Sequence, residues 1–364
     1  MSITVHIDGQ PTEQSPEYRR VLAQLGPLPD ESGLLYRIWT SAPQGEPTAH
    51  SVWLNPASSA AAQEWLDHGG AVLDCSTDFG ASVDRLRQGE AAVTVRSRSQ
   101  APLSPHMLAA FLAHDFPLVD ALMLARAYRD KGWPADLADY PVPVAGPASD
   151  ASFAEFPRNA GLYAVVPTSE WVGRLAELQV PVVQLRDKRA DRAKRAVAIR
   201  EAVQAVGGTN TLLFINDDWQ SAIQHGAYGV HLGQEDIDAA DLGAIREAGL
   251  RLGISTHGIY EMLRAHACRP SYIAMGAIYA TTTKSMPTAP QGLRRLEHYV
   301  RLMSPHYPLV AIGGIDQSRI DDIWAAGVDC AAVLRAIVDA ADYGQATADL
   351  LATTPPITAA AGVV

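Results

Sequence analysis

The chain reads as an α/β protein, a (β/α)8 TIM barrel preceded by a small α/β accessory domain, and two observations predict this. From about residue 160 onward, short runs rich in Val, Ile and Leu alternate with segments charged on one face and apolar on the other. Such runs, buried on both faces and separated by amphipathic helices, are the parallel strands of βα units. The runs also number eight, near 161–166, 181–186, 211–215, 228–232, 250–255, 272–276, 308–313 and 329–334. Eight βα units in roughly 190 residues close into a barrel. The competing open, doubly wound sheet needs a glycine fingerprint after its first strand, and 161–168 contains no GxGxxG. The segments 189–205 and 238–248 are clear intervening helices.

Residues 1–150 have another texture, rich in Ala, Pro, Ser and Gln and broken by turns at Pro27-Leu28-Pro29, Pro43-Gln44-Gly45 and Pro141-Val142-Pro143. The stretch 105–129 carries apolar residues at helical spacing over 106–113 and 118–128, a helical hairpin. Val72-Leu73-Asp74-Cys75 and Ala92-Val93-Thr94-Val95 read as strands. The Pro- and Ser-containing stretch 141–158 reads as a linker. The division expected is therefore 1–150 for an accessory domain, 151–352 for the barrel and 353–364 for a flexible tail.

Composition bounds the function. A chain of 364 residues, 48% hydrophobic and 19% charged, has a sizeable core and is not disordered. A net charge of −11 argues against nucleic acid or an anionic membrane as partner. Cys75, Cys268 and Cys330 form no CxxC pair and no metal spacing, as expected of reduced structural thiols in a cytoplasmic protein. The start lacks a basic, apolar leader, and no run approaches the ~20 apolar residues of a membrane span. The partners expected are small molecules, with self-association left open.

Barrel active sites sit at the C-terminal ends of the strands. There the chain carries Val183-Gln184-Leu185-Arg186-Asp187-Lys188, Ile215-Asn216-Asp217-Asp218 and His231-Leu232-Gly233-Gln234-Glu235-Asp236. Arg186 and Lys188 supply positive charge for a polyphosphate. Asp217 and Asp236 supply hard oxygen ligands on neighbouring strands, and two carboxylates suffice for Mg²⁺, which keeps several waters. A lone Asp after a strand is often a helix cap, so on composition alone Asp218 and Glu235 compete for the ligand role. Asp187 reads as a helix-capping or surface residue. Ser255 follows the fifth strand. Thr281-Thr282-Thr283-Lys284, after the sixth, can wrap an anion with backbone and hydroxyl donors. Gly313-Gly314 and Val333-Leu334-Arg335 fit the phosphate site that barrels build after strands seven and eight. His231, inside a strand, reads as structural and hydrogen-bonded.

These motifs, together with Gly253-Ile254-Ser255-Thr256-His257 and Ala311-Ile312-Gly313-Gly314-Ile315, resemble thiamine-phosphate synthases in order and separation across the whole barrel. The resemblance implies a transferase that joins 4-amino-2-methyl-5-hydroxymethylpyrimidine diphosphate to a thiazole phosphate. It implies Asp217 and Asp236 as Mg²⁺ ligands, and Gln184, Arg186, Lys188, Asn216 and Lys284 as contacts of the pyrimidine diphosphate. Ser255 falls on the pyrimidine side and Thr281, Thr282 and Thr283 on the thiazole-phosphate side, while Gly313, Val333 and Leu334 belong to the barrel's phosphate site, where Arg335 either grips the phosphate or points outward. Ala277 and Ala280 stand where the family carries prolines, and Arg335 where it often carries Ser. The family's relatives, the thiazole tautomerases, use a histidine near His257 but bind no diphosphate. A non-catalytic sensor of thiamine precursors is the other alternative. The hairpin at 105–129 weakly resembles the C-terminal helices of hydroxymethylpyrimidine phosphate kinases. Their Gly-Thr-Gly-Cys anion loop is replaced by Arg96-Ser97-Arg98-Ser99-Gln100, so no catalytic role transfers to it.

Overall fold

The computed structural model describes residues 3–25, 34–128, 133–189, 191–281 and 289–355. Two compact units divide the chain, Met1–Gly146 and Pro147–Val364.

The first unit is built on an eight-stranded sheet. Its strands are β1 (Thr4–Ile7), β2 (Gln10–Pro11), β3 (Leu35–Trp39), β4 (Ser51–Leu54), β5 (Ala71–Asp78), β6 (Ala81–Gln88), β7 (Ala91–Ser97) and β8 (Val142–Pro143), in the order β2-β1-β3-β4-β5-β6-β7-β8. The pairs β1–β3, β3–β4 and β4–β5 are parallel, and from β5 to β8 the sheet is an antiparallel meander. Helices α1 (Pro16–Leu25), α2 (Ser59–Asp67), α3 (Pro105–Ala113) and α4 (Leu118–Ala127) complete the unit. The predicted hairpin is α3 and α4. Ser104 caps α3 by accepting from the Met107 amide, with Pro105 in the first turn where its missing N–H costs nothing. Buried in α4, the Arg126 guanidinium donates to both oxygens of Asp84 on β6, at 2.6 Å from Nε and 2.5 Å from the terminal nitrogen.

The second unit is a closed barrel of eight parallel strands. These are β9 (Gly161–Val166), β10 (Val182–Leu185), β11 (Leu212–Asn216), β12 (Gly229–Leu232), β13 (Arg251–Thr256), β14 (Tyr272–Met275), β15 (Leu309–Ile312) and β16 (Cys330–Val333). Around them run α5 (Ser169–Glu177), α6 (Arg192–Ala205), α7 (Trp219–His225), α8 (Asp236–Ala239), α9 (Leu242–Glu247), α10 (Ile259–Ala267), α11 (Gly292–Met303), α12 (Ile320–Ala325), α13 (Arg335–Val338) and α14 (Tyr343–Ala352). Each predicted run contains or overlaps its strand.

The boundary between the units falls inside the predicted linker 141–158, but the two ends of that stretch are packed into the units themselves. Val142–Pro143 pairs with β7 in the first unit. In the second, Phe153 donates its amide to the Arg269 carbonyl, and Phe156 packs among Tyr163, Phe214 and Tyr272 inside the barrel. The Phe156 ring lies 4.9 Å from that of Tyr272 and 5.6 Å from that of Phe214. The interior is thus filled at the end where the strands begin, and the open end is where they finish. Of the expected tail, 356–364 lies outside the described residues.

Candidate active site

The strand C-terminal ends enclose a cavity of about 460 Å³. Its lining includes Gln184, Arg186, Lys188, Asn216, Asp217, Asp236, Ser255, Thr281, Gly313, Val333, Leu334 and Arg335. Twelve of the fifteen candidates named from sequence thus converge on one space, and the other three, Thr282, Thr283 and Lys284, lie outside the described residues.

The acidic half is assembled by two short turns. Asp217 follows β11 with φ +63°, a left-handed conformation that Asp tolerates better than most residues. That turn separates the fates of two adjacent carboxylates. Asp218 caps α7, accepting from the Ser221 amide, while Asp217 lines the cavity. Asp236 opens α8, and its Oδ2 accepts from the Gly233 amide at 3.1 Å. Glu235, its neighbour, is exposed and does not line the cavity. Burial, and after it the facing Asp217 carboxylate, push the Asp236 carboxyl above its ordinary range, with the Lys188 charge opposing.

The basic half stands beside it. Lys188 Nζ lies 2.8 Å from Asp217 Oδ2. Among the described residues, the Arg186 guanidinium has no ion-pair partner and reaches into the cavity from the end of β10. Asp187, between them, turns away: its side chain is 6% exposed and pairs with Arg189, whose hydrogen bonds hold its carboxyl below the usual range. The Gln184 amide nitrogen is buried on the cavity wall with no hydrogen-bond partner among the described residues. A buried donor left unpaired is costly, and a ligand acceptor would satisfy it.

Deeper in, His231 Nε2 is 2.6 Å from Ser255 Oγ. His257 also lines the cavity, with Nδ1 2.8 Å from Glu261 Oε2. At the rim, Gly313 and Gly314 have positive φ, and a Cβ on either would collide with the backbone of 277–280. Asp316 and Arg319, not singled out from sequence, line the same rim. Arg319 donates to the Gly314 carbonyl at 2.7 Å and lies 4.9 Å from the Tyr279 ring. Their signal was available: they are the polar residues after Gly313-Gly314 at a strand end. A shallower cleft of about 430 Å³ shares Lys188, Asn216 and Asp217 with the cavity.

Whether the donor set suits Mg²⁺ can be judged from its chemistry. Two carboxylates face one another, and Asp236 is raised by burial first and by Asp217 second, the arrangement a hard divalent cation relieves; the remaining positions would belong to water and diphosphate oxygens. The residues fit the ion. Among the described residues no helix is long and apolar enough to cross a membrane.

Comparison with known proteins meets the same region. Residues 162–337 match the family described as thiamine monophosphate synthase. The chain is 54% identical over 182 residues to thiamine-phosphate synthase of Neisseria meningitidis serogroup B, covering 50% of this chain and 87% of that one. With the Photorhabdus laumondii thiamine-phosphate synthase it shares 49% over 202 residues, 56% of this chain and 93% of that one. A solved thiamine phosphate pyrophosphorylase from Pyrococcus furiosus superposes with a TM-score of 0.49 at 26% identity, over 54% of this chain and 96% of that one. Identity of this order across nearly the full length of these enzymes carries one conclusion: the chain belongs to the thiamine-phosphate synthase family, and it is a transferase.

Proposed function

We propose that the chain couples 4-amino-2-methyl-5-hydroxymethylpyrimidine diphosphate to thiazole phosphate, giving thiamine monophosphate and pyrophosphate, with Mg²⁺ as cofactor and the barrel as the catalytic unit. The observation that carries this reading is the opposed Asp217 and Asp236 pair with Lys188 and Arg186 beside it, in one cavity. The methylene C–O bond to the diphosphate breaks first, and the aminopyrimidine delocalises the cation left behind. The thiazole nitrogen then forms the C–N bond. Mg²⁺ held by Asp217 and Asp236 would supply positive charge against the departing diphosphate. Arg186 and Lys188 neutralise the same developing charge from preorganised positions, where each contact contributes about 10²–10³ in rate. Asn216 and Gln184 donate to the pyrimidine diphosphate, and Ser255 meets the pyrimidine. Lys284 joins Arg186 and Lys188 at the pyrimidine diphosphate, while Thr281, Thr282 and Thr283, with Gly313, Val333, Leu334 and Arg335, hold the thiazole phosphate. Residues 1–150 act as an accessory domain, and the protein works in the cytoplasm.

The test is release of pyrophosphate and thiamine phosphate by the purified full-length protein, with both substrates, with and without Mg²⁺. Metal-dependent turnover is expected, and Asp217→Ala is expected to abolish it while the protein stays folded. Isomerisation of the thiazole with no diphosphate chemistry would replace this reading with that of a tautomerase using His257. Tight precursor binding without turnover would replace it with a sensor.

A further inference from the structure

Beside Val165, Ala274 and Ala332, which line the cavity with the aliphatic side chains ordinary in barrel interiors, part of the floor is polar. Four strands each contribute one group to a single hydrogen-bonded row. Tyr163 Oη on β9 lies 2.8 Å from Tyr272 Oη on β14. Tyr272 Oη lies 2.7 Å from His231 Nδ1 on β12, and His231 Nε2 lies 2.6 Å from Ser255 Oγ on β13. The two tyrosines are fully buried in the core, and Ser255 and His231 line the cavity. The row therefore runs from the sealed interior to the ligand space.

The direction of its protons follows from the donor inventory. Burial raises both phenols far above their ordinary pKa, so each keeps its single proton to donate. Among the described residues, Tyr163 Oη has one hydrogen-bond partner, Tyr272 Oη. If His231 carried its proton on Nδ1, it would donate to Tyr272, Tyr272 would donate to Tyr163, and the Tyr163 proton would be buried with no acceptor. The reverse order leaves no buried donor unpaired. Tyr163 donates to Tyr272, Tyr272 donates to His231 Nδ1, and His231 carries its proton on Nε2 and donates to Ser255 Oγ. The Ser255 proton then has the cavity to point into. The Ser255 carbonyl is fixed as well, because Gln234 Nε2 donates to it at 2.8 Å while Arg264 donates to Gln234 Oε1 at 3.1 Å. That second bond sets which way the Gln234 amide faces.

We propose that Tyr272 and His231 are positioning residues that fix Ser255 as a hydrogen-bond donor to the ligand, selecting a heteroaromatic ring that presents an acceptor nitrogen at that point. The proposal rests on the synthase reading for its ligand and on the row alone for the polarity. Two measurements on the full-length protein separate these.

The first is ¹⁵N correlation spectroscopy of histidine-labelled protein, with His231 assigned by His231→Gln. The expected tautomer has the proton on Nε2, unchanged in Tyr163→Phe and shifted toward a mixture in Tyr272→Phe. A proton on Nδ1, a cationic ring, or an equal response to both phenylalanine variants overturns the polarity. The second is steady-state kinetics. Ser255→Ala and Tyr272→Phe should each lower kcat/KM for the pyrimidine substrate about tenfold, the size of one well-placed hydrogen bond, with KM for the thiazole substrate unchanged. Unchanged kcat/KM in Ser255→Ala, or an equal loss for both substrates, overturns the donor role. A parent protein that makes no thiamine phosphate would sink the synthase reading and leave the tautomer result to judge the row.

Discussion

Asp217 and Asp218 are chemically identical neighbours, and the backbone alone assigns them different work. The left-handed turn at Asp217 sends its carboxylate toward Lys188 and Asp236, and leaves Asp218 over the first turn of α7. Asp217→Asn keeps a side chain that tolerates this turn and removes both the repulsion with Asp236 and the ion pair with Lys188, two changes of opposite sign. Its stability should stay within about 0.5 kcal/mol of the parent while activity falls by at least about 10². Asp218→Ala should do the reverse, costing about 0.5–2 kcal/mol as a lost helix cap and leaving kcat/KM intact. Thermal melts paired with steady-state kinetics read both; a fully active Asp217→Asn would remove the metal assignment. Sequence reasoning could say that one of such a pair caps a helix. The turn that decides which one is a property of the folded chain. Asp187 teaches the same point, since its partner Arg189 is local but its burial is not visible in the sequence.

Elements were legible in proportion to how regularly they are buried. The barrel strands are covered on both faces, so each declares itself as an uninterrupted apolar run, and β9, β10, β12, β14 and β16 are buried at every position. In the first unit β1 is four residues with one buried position, and β3 is buried only at its end, which leaves little periodicity to read. The α3–α4 hairpin was legible because its apolar positions repeat at helical spacing. Arg126 in α4 was not, because its partner Asp84 is 42 residues away. Removing one member of a buried pair strands the other charge. Arg126→Ala should therefore destabilise the first unit by about 3–5 kcal/mol, and Asp84→Ala in the same chain should recover part of that loss. Denaturant unfolding with additivity of the two changes is the outcome that would argue against coupling.

At the scale of the whole molecule, composition separated a barrel from what precedes it, but did not reveal that the stretch 141–158 is packed at both ends. Pro and Ser in 141–158 signal a linker, whereas Phe156 packs into the barrel interior and Phe153 is buried with its amide bonded to the Arg269 carbonyl. Two buried aromatics outweigh the punctuation around them. One contribution to stability against acid lies inside the barrel unit. Burial, and then the nearby Arg301 charge, hold the His298 imidazole down at about 3, so it stays neutral in the folded protein. An unfolded chain would protonate it near 6.5, so stability should fall as pH drops from about 6.5 toward about 3. Whatever His298→Leu does to stability at neutral pH, its loss across that window should be shallower, as pH-dependent unfolding would show; an identical slope would exclude His298 as the cause. The opposed Asp217 and Asp236 carry a last consequence. A fold that holds two carboxylates against each other is less stable alone than it is once that repulsion is relieved, so binding and folding are linked at this point. Mg²⁺ with pyrophosphate at a hundredfold excess over its dissociation constant should stabilise the barrel by about 2.7 kcal/mol. The same addition should leave the melting temperature of Asp217→Asn nearly unmoved, which makes the melting temperature a direct reading of whether the site is filled.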